Sequence, residues 1–212
     1  MYRFNIAQIL ISLPGIVIGL AFHEFAHALM SDRLGDPTPR SQGRLSLSPL
    51  PHIDLIGFFM LIFMGFGWAK PVQINPKYFK NPRRDSILVS AAGPVTNLIV
   101  ATVFTVFARI FLSTSLPYKL SENIVSSIIG IFDYAIRINI ILFIFNLLPV
   151  PPLDGFHIVA NLIPFRHYRL ISVLERYGSI ILIILIFTGA TSYIIRGPAQ
   201  FIYSSLIKIF GL

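Results

Sequence analysis

The 212-residue chain is 55% hydrophobic, is only 12% charged and has a mean hydropathy of +0.75. A soluble domain carries about a quarter charged residues, so this composition excludes an ordinary soluble protein and indicates one solvated by lipid. The net charge of +8 does not indicate nucleic-acid binding, because the basic residues lie in short loops between apolar segments, where they set membrane orientation. The chain contains no cysteine, which excludes disulfides and thiolate metal sites.

Four apolar segments are long enough to cross a bilayer, which takes about 20 residues. The predicted spans cover residues 6–30, 87–112, 124–148 and 178–195. The polar stretches between them have too few apolar residues for a core of their own, so residues 1–212 are predicted to form a single domain. The sequence therefore predicts an all-α polytopic membrane protein.

The end of the first predicted span carries the sequence HEFAH. His23 and His27 are four residues apart, so on a helix both imidazoles project from one face, close enough to share a metal ion. Glu24 is placed beside them to act as a general base rather than as a ligand. A chance match is the alternative, but ionisable groups are costly inside a membrane span and usually mark a functional site.

A shorter apolar segment, rich in glycine, covers residues 53–69 and is predicted to be a re-entrant helix or hairpin. From Gly67 the sequence GWAKPVQINPKYF alternates apolar and polar residues between prolines, which predicts a short β-like loop with an exposed edge. Such an edge could pair with an extended substrate. The alternative is a loop that Trp68 anchors at the membrane interface.

A catalytic zinc site typically takes three protein ligands, so the two histidines need a third partner. The candidates are His52, His157, His167, Asp154 and other loop carboxylates. Asp154 is favoured because it follows the third long span in the sequence NLLPVPPLDGF, where three prolines end the helix. Gly155 then permits a tight turn that can present the carboxylate.

Three motifs resemble the signatures of site-2 proteases, a family of intramembrane zinc metalloproteases. These motifs are HEFAH, AAGPVTN at residues 91–97 and NLLPVPPLDG at residues 146–155, and they occur in the matching order in separate spans. The resemblance covers about residues 16–158. It fits the compact members of the family, because too few residues separate the second and third long spans to hold an inserted PDZ domain.

The resemblance also implies roles for individual residues. It implies that His23, His27 and Asp154 hold one zinc ion, and that Glu24 is the base. The substrate it implies is a membrane-spanning helix of another protein within the lipid bilayer. A zinc transporter or sensor could use the same ligands, but it would have no need of a glutamate beside the first histidine. An inactive scaffold of protease ancestry would likewise have no need of intact HEFAH and LDG sequences.

Two asparagines in apolar spans are further candidates for substrate binding or oxyanion stabilisation. Asn97 is more simply explained by hydrogen bonding between helices. Asn146 begins the third motif, and the family resemblance suggests that it binds the substrate backbone or supports the oxyanion. Asp133 and Arg137, four residues apart, are predicted to pair within the third long span.

Sharing one metal ion constrains the topology. The first and third long spans must run in the same direction, which requires residues 53–69 to enter and leave on one side of the membrane. Eleven of the 17 basic residues then lie on the side of the site: Arg33, Arg40, Arg44, Lys70, Lys77, Lys80, Arg83, Arg84, Arg166, Arg169 and Arg176. The positive-inside rule makes that side cytoplasmic. The compact size and the family resemblance imply a prokaryotic cytoplasmic membrane.

Overall fold

A computed structural model of the protein describes residues 6–64, 67–164 and 168–212. Its helices in chain order are α1 (Ile6–Arg33), α2 (Thr38–Ser41), α3 (Leu55–Met64), α4 (Pro82–Ser113), α5 (Leu116–Lys119), α6 (Glu122–Asn146), α7 (Asp154–Leu162), α8 (Tyr168–Phe187) and α9 (Ala190–Phe210). Among these described helices, α1, α4, α6 and α8 are long and apolar enough to cross a membrane. The predicted all-α fold with four candidate spans is confirmed.

Helices α1 and α6 pack closely through small residues. Gly15 and Gly19, one turn apart on α1, face Ala135 and Asn139 of α6, and a Cβ added at Gly15 would lie 2.5 Å from the Ala135 Cα. Small residues at this spacing let two helix backbones approach each other within a membrane. Because the contact positions rise together along both helices, α1 and α6 run in the same direction, as a shared metal site requires.

Helix α4 runs opposite to α1 and α6 and completes the bundle. His23 and His27 of α1 meet Asn97 and Val89 of α4 in reverse order along the chain. A buried apolar cluster joins α4 to α6, and its members are Val100, Ala101, Phe104, Ala135, Ile136 and Ile140. The three helices therefore form one packed unit that brings the end of α1, the beginning of α4 and the end of α6 together.

The two ends of the segment at residues 53–69 meet each other. Ile53 and Ala69 form an isolated antiparallel bridge, and the Lys70 amide donates a hydrogen bond of 2.8 Å to the His52 carbonyl oxygen. A segment with paired ends enters and leaves on the same side. This geometry agrees with the predicted re-entrant hairpin, of which α3 is the helical part.

The predicted β-like loop from Gly67 is not confirmed. Within the described residues, the only β pairing here is the bridge at Ala69, and the remainder up to Asn75 has no regular structure. The reason lies in the backbone donors of this segment. The Val72 and Asn75 amides donate to side-chain carboxylates instead of to a neighbouring strand. We call residues 71–75 the cavity segment, for its position described below.

The predicted C-terminal span at residues 178–195 has the wrong boundaries. Helix α8 begins ten residues earlier and ends at Phe187, and α9 begins at Ala190. Gly189, with a φ of +76°, breaks the helix in a left-handed conformation that glycine adopts easily. Hydropathy stays high across this break, so the sequence pattern joined parts of two helices into one.

Helix α9 was not predicted, because Arg196 and Pro198 interrupt its apolar pattern. It packs against α6 and α4. The Tyr203 hydroxyl donates a hydrogen bond of 2.6 Å to Asp133, whose other oxygen accepts one of 2.7 Å from Arg137 Nε. The predicted Asp133–Arg137 pair is therefore present, with a third partner from α9.

Candidate metal centre

Three predicted ligands converge at the end of the helix bundle. The Nε2 atoms of His23 and His27 lie 3.0 Å apart. Asp154 Oδ2 lies 3.2 Å from the His23 Nε2, and Asp154 Oδ1 lies 3.4 Å from the His27 Nε2. These side chains form a group whose potential ligand atoms all lie within 4.8 Å of one another. The spacing of four residues on α1 and the start of α7 at Asp154 produce this arrangement.

Hydrogen bonds at the far side of each ring fix the orientation of the two imidazoles. His27 Nδ1 donates to the Val89 carbonyl oxygen at 2.8 Å. His23 Nδ1 lies 2.7 Å from Asn97 Oδ1, which must act as the acceptor because Asn97 Nδ2 donates to Gly19 and Asn139. Each neutral ring therefore carries its proton on Nδ1 and directs the lone pair of Nε2 towards Asp154.

This donor set fits a zinc ion. With both rings neutral, two imidazole lone pairs and a carboxylate converge on one point, an arrangement that a cation stabilises. Asp154 Oδ2 is buried and has no hydrogen-bond partner in the described part of the chain. Nitrogen and carboxylate ligands in this number are those of catalytic zinc sites.

Two glycines provide the space that the site needs. A Cβ added at Gly93 of α4 would collide with His27 Nε2 and lie 2.7 Å from His23 Nε2, so a larger residue would occupy the position between the ligands. A Cβ added at Gly155 would collide with the Leu147 carbonyl oxygen, so this glycine lets α7 begin directly against the end of α6. A larger residue is therefore excluded at both glycines, but for different steric reasons. Gly93 of AAGPVTN leaves space between the ligands, and Gly155 of LDG leaves space between α6 and α7.

Glu24 lies beside the ligand group without belonging to it. Its side chain is buried, and its Oε2 accepts a hydrogen bond of 2.9 Å from the Val72 amide. Glu24 lines a cavity of about 950 Å³ together with His23, His27 and Asp154. A carboxylate at this position can take a proton from a water molecule at the ligand group.

Asn97 is fully buried behind His23 rather than exposed to the cavity. Its carbonyl oxygen accepts from His23, and its amide donates 3.0 Å hydrogen bonds to the Gly19 carbonyl oxygen and to Asn139 Oδ1. Asn139 in turn donates to the carbonyl oxygens of Gly15 and Ala135. This amide chain links α1, α4 and α6 and holds the His23 ring, which agrees with the helix-to-helix role favoured for Asn97.

Sequence reasoning missed Asn139. The available signal was its spacing of seven residues from Asn146, which places both asparagines on one face of α6, two turns apart. Asn146 lines the cavity, and its Nδ2 donates to the Leu142 carbonyl oxygen at 3.0 Å. It thus borders the space that a substrate would occupy, as its candidate role requires.

Two other histidines considered as third ligands, His52 and His157, are not members of the ligand group. His52 is buried in the loop before α3, where its Nε2 lies 2.8 Å from the Ser46 carbonyl oxygen. His157 lines the cavity but is not a member of the ligand group. His167 lies outside the described residues.

A buried two-histidine, one-carboxylate centre with an adjacent glutamate, set among long apolar helices, defines the class of membrane-embedded metallopeptidases. Comparison with known proteins narrows this class. The family model of peptidase family M50 matches residues 112–189. A protein of Bacillus subtilis (strain 168), named "Putative zinc metalloprotease YwhC", is 36% identical over 196 residues, covering 92% of this chain and 89% of the relative. The chain belongs to peptidase family M50, the site-2 protease family that its motifs resemble.

Two further relatives have similar names. "Putative zinc metalloprotease MJ0611" of Methanocaldococcus jannaschii is 32% identical over 155 residues, covering 72% of this chain and 71% of the relative. "Putative zinc metalloprotease Rip2" of Mycolicibacterium smegmatis is 27% identical over 183 residues, covering 84% of this chain and 67% of the relative. No solved structure matches the chain.

Proposed function

We propose that this protein is a zinc-dependent endopeptidase that hydrolyses peptide bonds of transmembrane protein substrates within the membrane. The observation that carries the proposal is the convergence of His23, His27 and Asp154 beside Glu24 in one cavity. The names of the relatives support zinc as the metal and proteolysis as the reaction. The geometry supports a single ion, because one group of three ligands has room for one.

Each side chain of the centre has a distinct task. A zinc ion held by His23, His27 and Asp154 would polarise the scissile carbonyl and make water a stronger acid. Glu24 accepts a proton from the attacking water and later delivers it to the leaving amine. Asn146 borders the same cavity, where its amide could hold the substrate backbone or the developing oxyanion.

The depth of the centre favours a membrane-spanning substrate. His23 lies ten residues before the end of α1 at Arg33, which is about 15 Å at 1.5 Å per residue. With Arg33 placed at the edge of the hydrocarbon core, where the basic end of a span is expected, this distance is about half of a core thickness of about 30 Å. A peptide bond that reaches the cavity therefore belongs to a segment that enters the bilayer. The cavity segment forms part of the wall, and we propose that substrate in an extended conformation lies along it.

The proposed reaction can be tested with purified protein in lipid vesicles and a panel of single-span substrates. We expect at least one substrate to be cleaved within its membrane segment, with cleavage lost on chelation and restored by zinc. The same vesicles, loaded with a zinc indicator, measure transport in parallel. Zinc movement across the vesicle without cleavage of any substrate would contradict the proposal and favour a transporter.

We further propose that the protein lies in a prokaryotic cytoplasmic membrane with its metal centre towards the cytoplasm. The excess of basic residues at the end of the bundle that holds the centre supports this orientation. Because the chain has no cysteine, single substitutions can be labelled selectively with an impermeant thiol reagent. Ser41→Cys and Lys77→Cys should label from the cytoplasmic side, and Tyr118→Cys, at a position that is 90% exposed, from the opposite side. Labelling of the first two from opposite sides would refute the topology.

A further inference from the structure

Asp36, in the loop after α1, is a fully buried carboxylate that the proposed reaction does not use. It accepts hydrogen bonds from the Ser31 hydroxyl at 2.8 Å, the Thr38 amide at 3.0 Å and the Asn75 amide at 2.8 Å. No cationic side chain pairs with it among the described residues. Burial raises the pKa of Asp36, but these donors outweigh burial and lower it below the usual value. The side chain is therefore a buried anion held by neutral donors. Burying a charge without a cationic partner costs folding free energy, so this arrangement indicates a structural or functional role.

The Asn75 contact ties Asp36 to the wall of the active-site cavity. The cavity segment is attached by backbone amides at two points, Val72 to Glu24 and Asn75 to Asp36. A side-chain bond of 2.7 Å from Gln42 to Gln73 lies between these points. Both carboxylates accept from the same short segment, so its position depends on the two together.

We infer that Asp36 is a positioning residue, which holds the cavity segment against Glu24 and thereby orients the general base. This inference rests on the proposed function of Glu24. The Val72 amide donates its hydrogen bond to Oε2 of Glu24. With Oε2 held by this amide, the Glu24 carboxylate keeps one orientation in the cavity, and preorganised groups of this kind sustain catalysis. Without the Asn75 anchor the Val72 amide moves, and Glu24 loses its fixed orientation.

The test combines Asp36→Asn with a cysteine reporter at Val72. The Val72 side chain is 8% exposed, so Val72→Cys in the otherwise cysteine-free chain should be protected from a thiol reagent. Adding Asp36→Asn should raise the labelling rate about 10- to 100-fold, the effect of losing one hydrogen bond to a charged group. In the chain without the reporter, Asp36→Asn should lower kcat by a similar factor while zinc content stays nearly unchanged. KM should rise by a smaller factor, because the same segment lines the cavity in which the substrate is proposed to lie.

Two control variants separate positioning from a general role in folding. Ser31→Ala removes another hydrogen bond to the same oxygen of Asp36 and keeps the Asn75 anchor, so it should alter labelling and kcat much less. Asp32→Asn breaks the exposed pair with Arg40 and should alter neither. Loss of zinc in Asp36→Asn, a fall in kcat with Val72→Cys still protected, or an effect on KM alone would overturn the inference. If the unsubstituted protein cleaves nothing, the proposed function fails, while the labelling arm still decides whether Asp36 anchors the segment.

Discussion

Glu24→Gln should abolish nearly all cleavage while the protein keeps its zinc. Glutamine has almost the same shape, and its carbonyl oxygen can still accept the hydrogen bond from the Val72 amide. It cannot accept a proton from water, and general acid–base catalysis is typically worth about 10²- to 10⁴-fold. Initial cleavage rates and metal analysis of the same preparation measure the two properties.

Glu175→Gln is the matched control for this variant. Glu175 lines the same cavity from α8 but does not belong to the ligand group. Its substitution changes the charge of the cavity by the same amount. Cleavage should stay within about twofold of the unsubstituted rate, because substitutions at exposed positions typically change free energies by about 0.5 kcal/mol or less. Normal turnover by Glu24→Gln would reject Glu24 as the base. Equal losses in both variants would point to cavity charge instead of proton transfer.

The ligands of the candidate centre were predictable because each depends on a short stretch of sequence. His23 and His27 lie on the same face of any regular α-helix, because they are four residues apart. Asp154 follows prolines that must end α6, and Gly155 permits α7 to begin there. Parallel α1 and α6 then followed from requiring these residues to meet. All of these steps need only local rules and one distance constraint.

The groups that orient the ligands could not be predicted in the same way. Whether Asn97 faces His23 or the cavity depends on the rotation of α4 about its axis, which no local pattern determines. The same holds for Asn139 and for the Val89 carbonyl oxygen, because any residue in this position presents the same backbone acceptor. Their roles depend on the packing of helices that are distant in sequence.

The two differences between the predicted and the observed fold have local causes that the hydrophobic pattern of the sequence does not show. At the cavity segment, alternation and prolines indicated an exposed strand edge, but the carboxylates of Glu24 and Asp36 bind its amides. At the C-terminus, one glycine in a left-handed conformation divides a continuous apolar run into α8 and α9. Two backbone hydrogen bonds in the first place, and one backbone dihedral in the second, outweighed the hydrophobic pattern.

Gly93→Ala should cause a large loss of zinc binding, although residue 93 is not a ligand. The added methyl group would collide with His27 Nε2 and lie 2.7 Å from His23 Nε2. One imidazole must rotate away or α4 must shift, and either movement separates atoms that bind the ion together. The loss in zinc affinity should therefore exceed the 10- to 100-fold that typically follows changes to the groups around metal ligands. Competition with a chelator of known affinity measures it, and cleavage should fall in parallel.

Gly130→Ala is the control, because it makes the same change within another long apolar helix. A Cβ at Gly130 would meet Ile11 at 3.5 Å, an ordinary van der Waals contact, so zinc affinity and cleavage should remain near those of the unsubstituted protein. Alanine also favours a helix over glycine by up to about 1 kcal/mol, so neither substitution should weaken its helix intrinsically. A difference between the two variants thus reports the space beside the imidazoles. Full zinc binding by Gly93→Ala would show that His23 and His27 do not hold the ion through these Nε2 atoms.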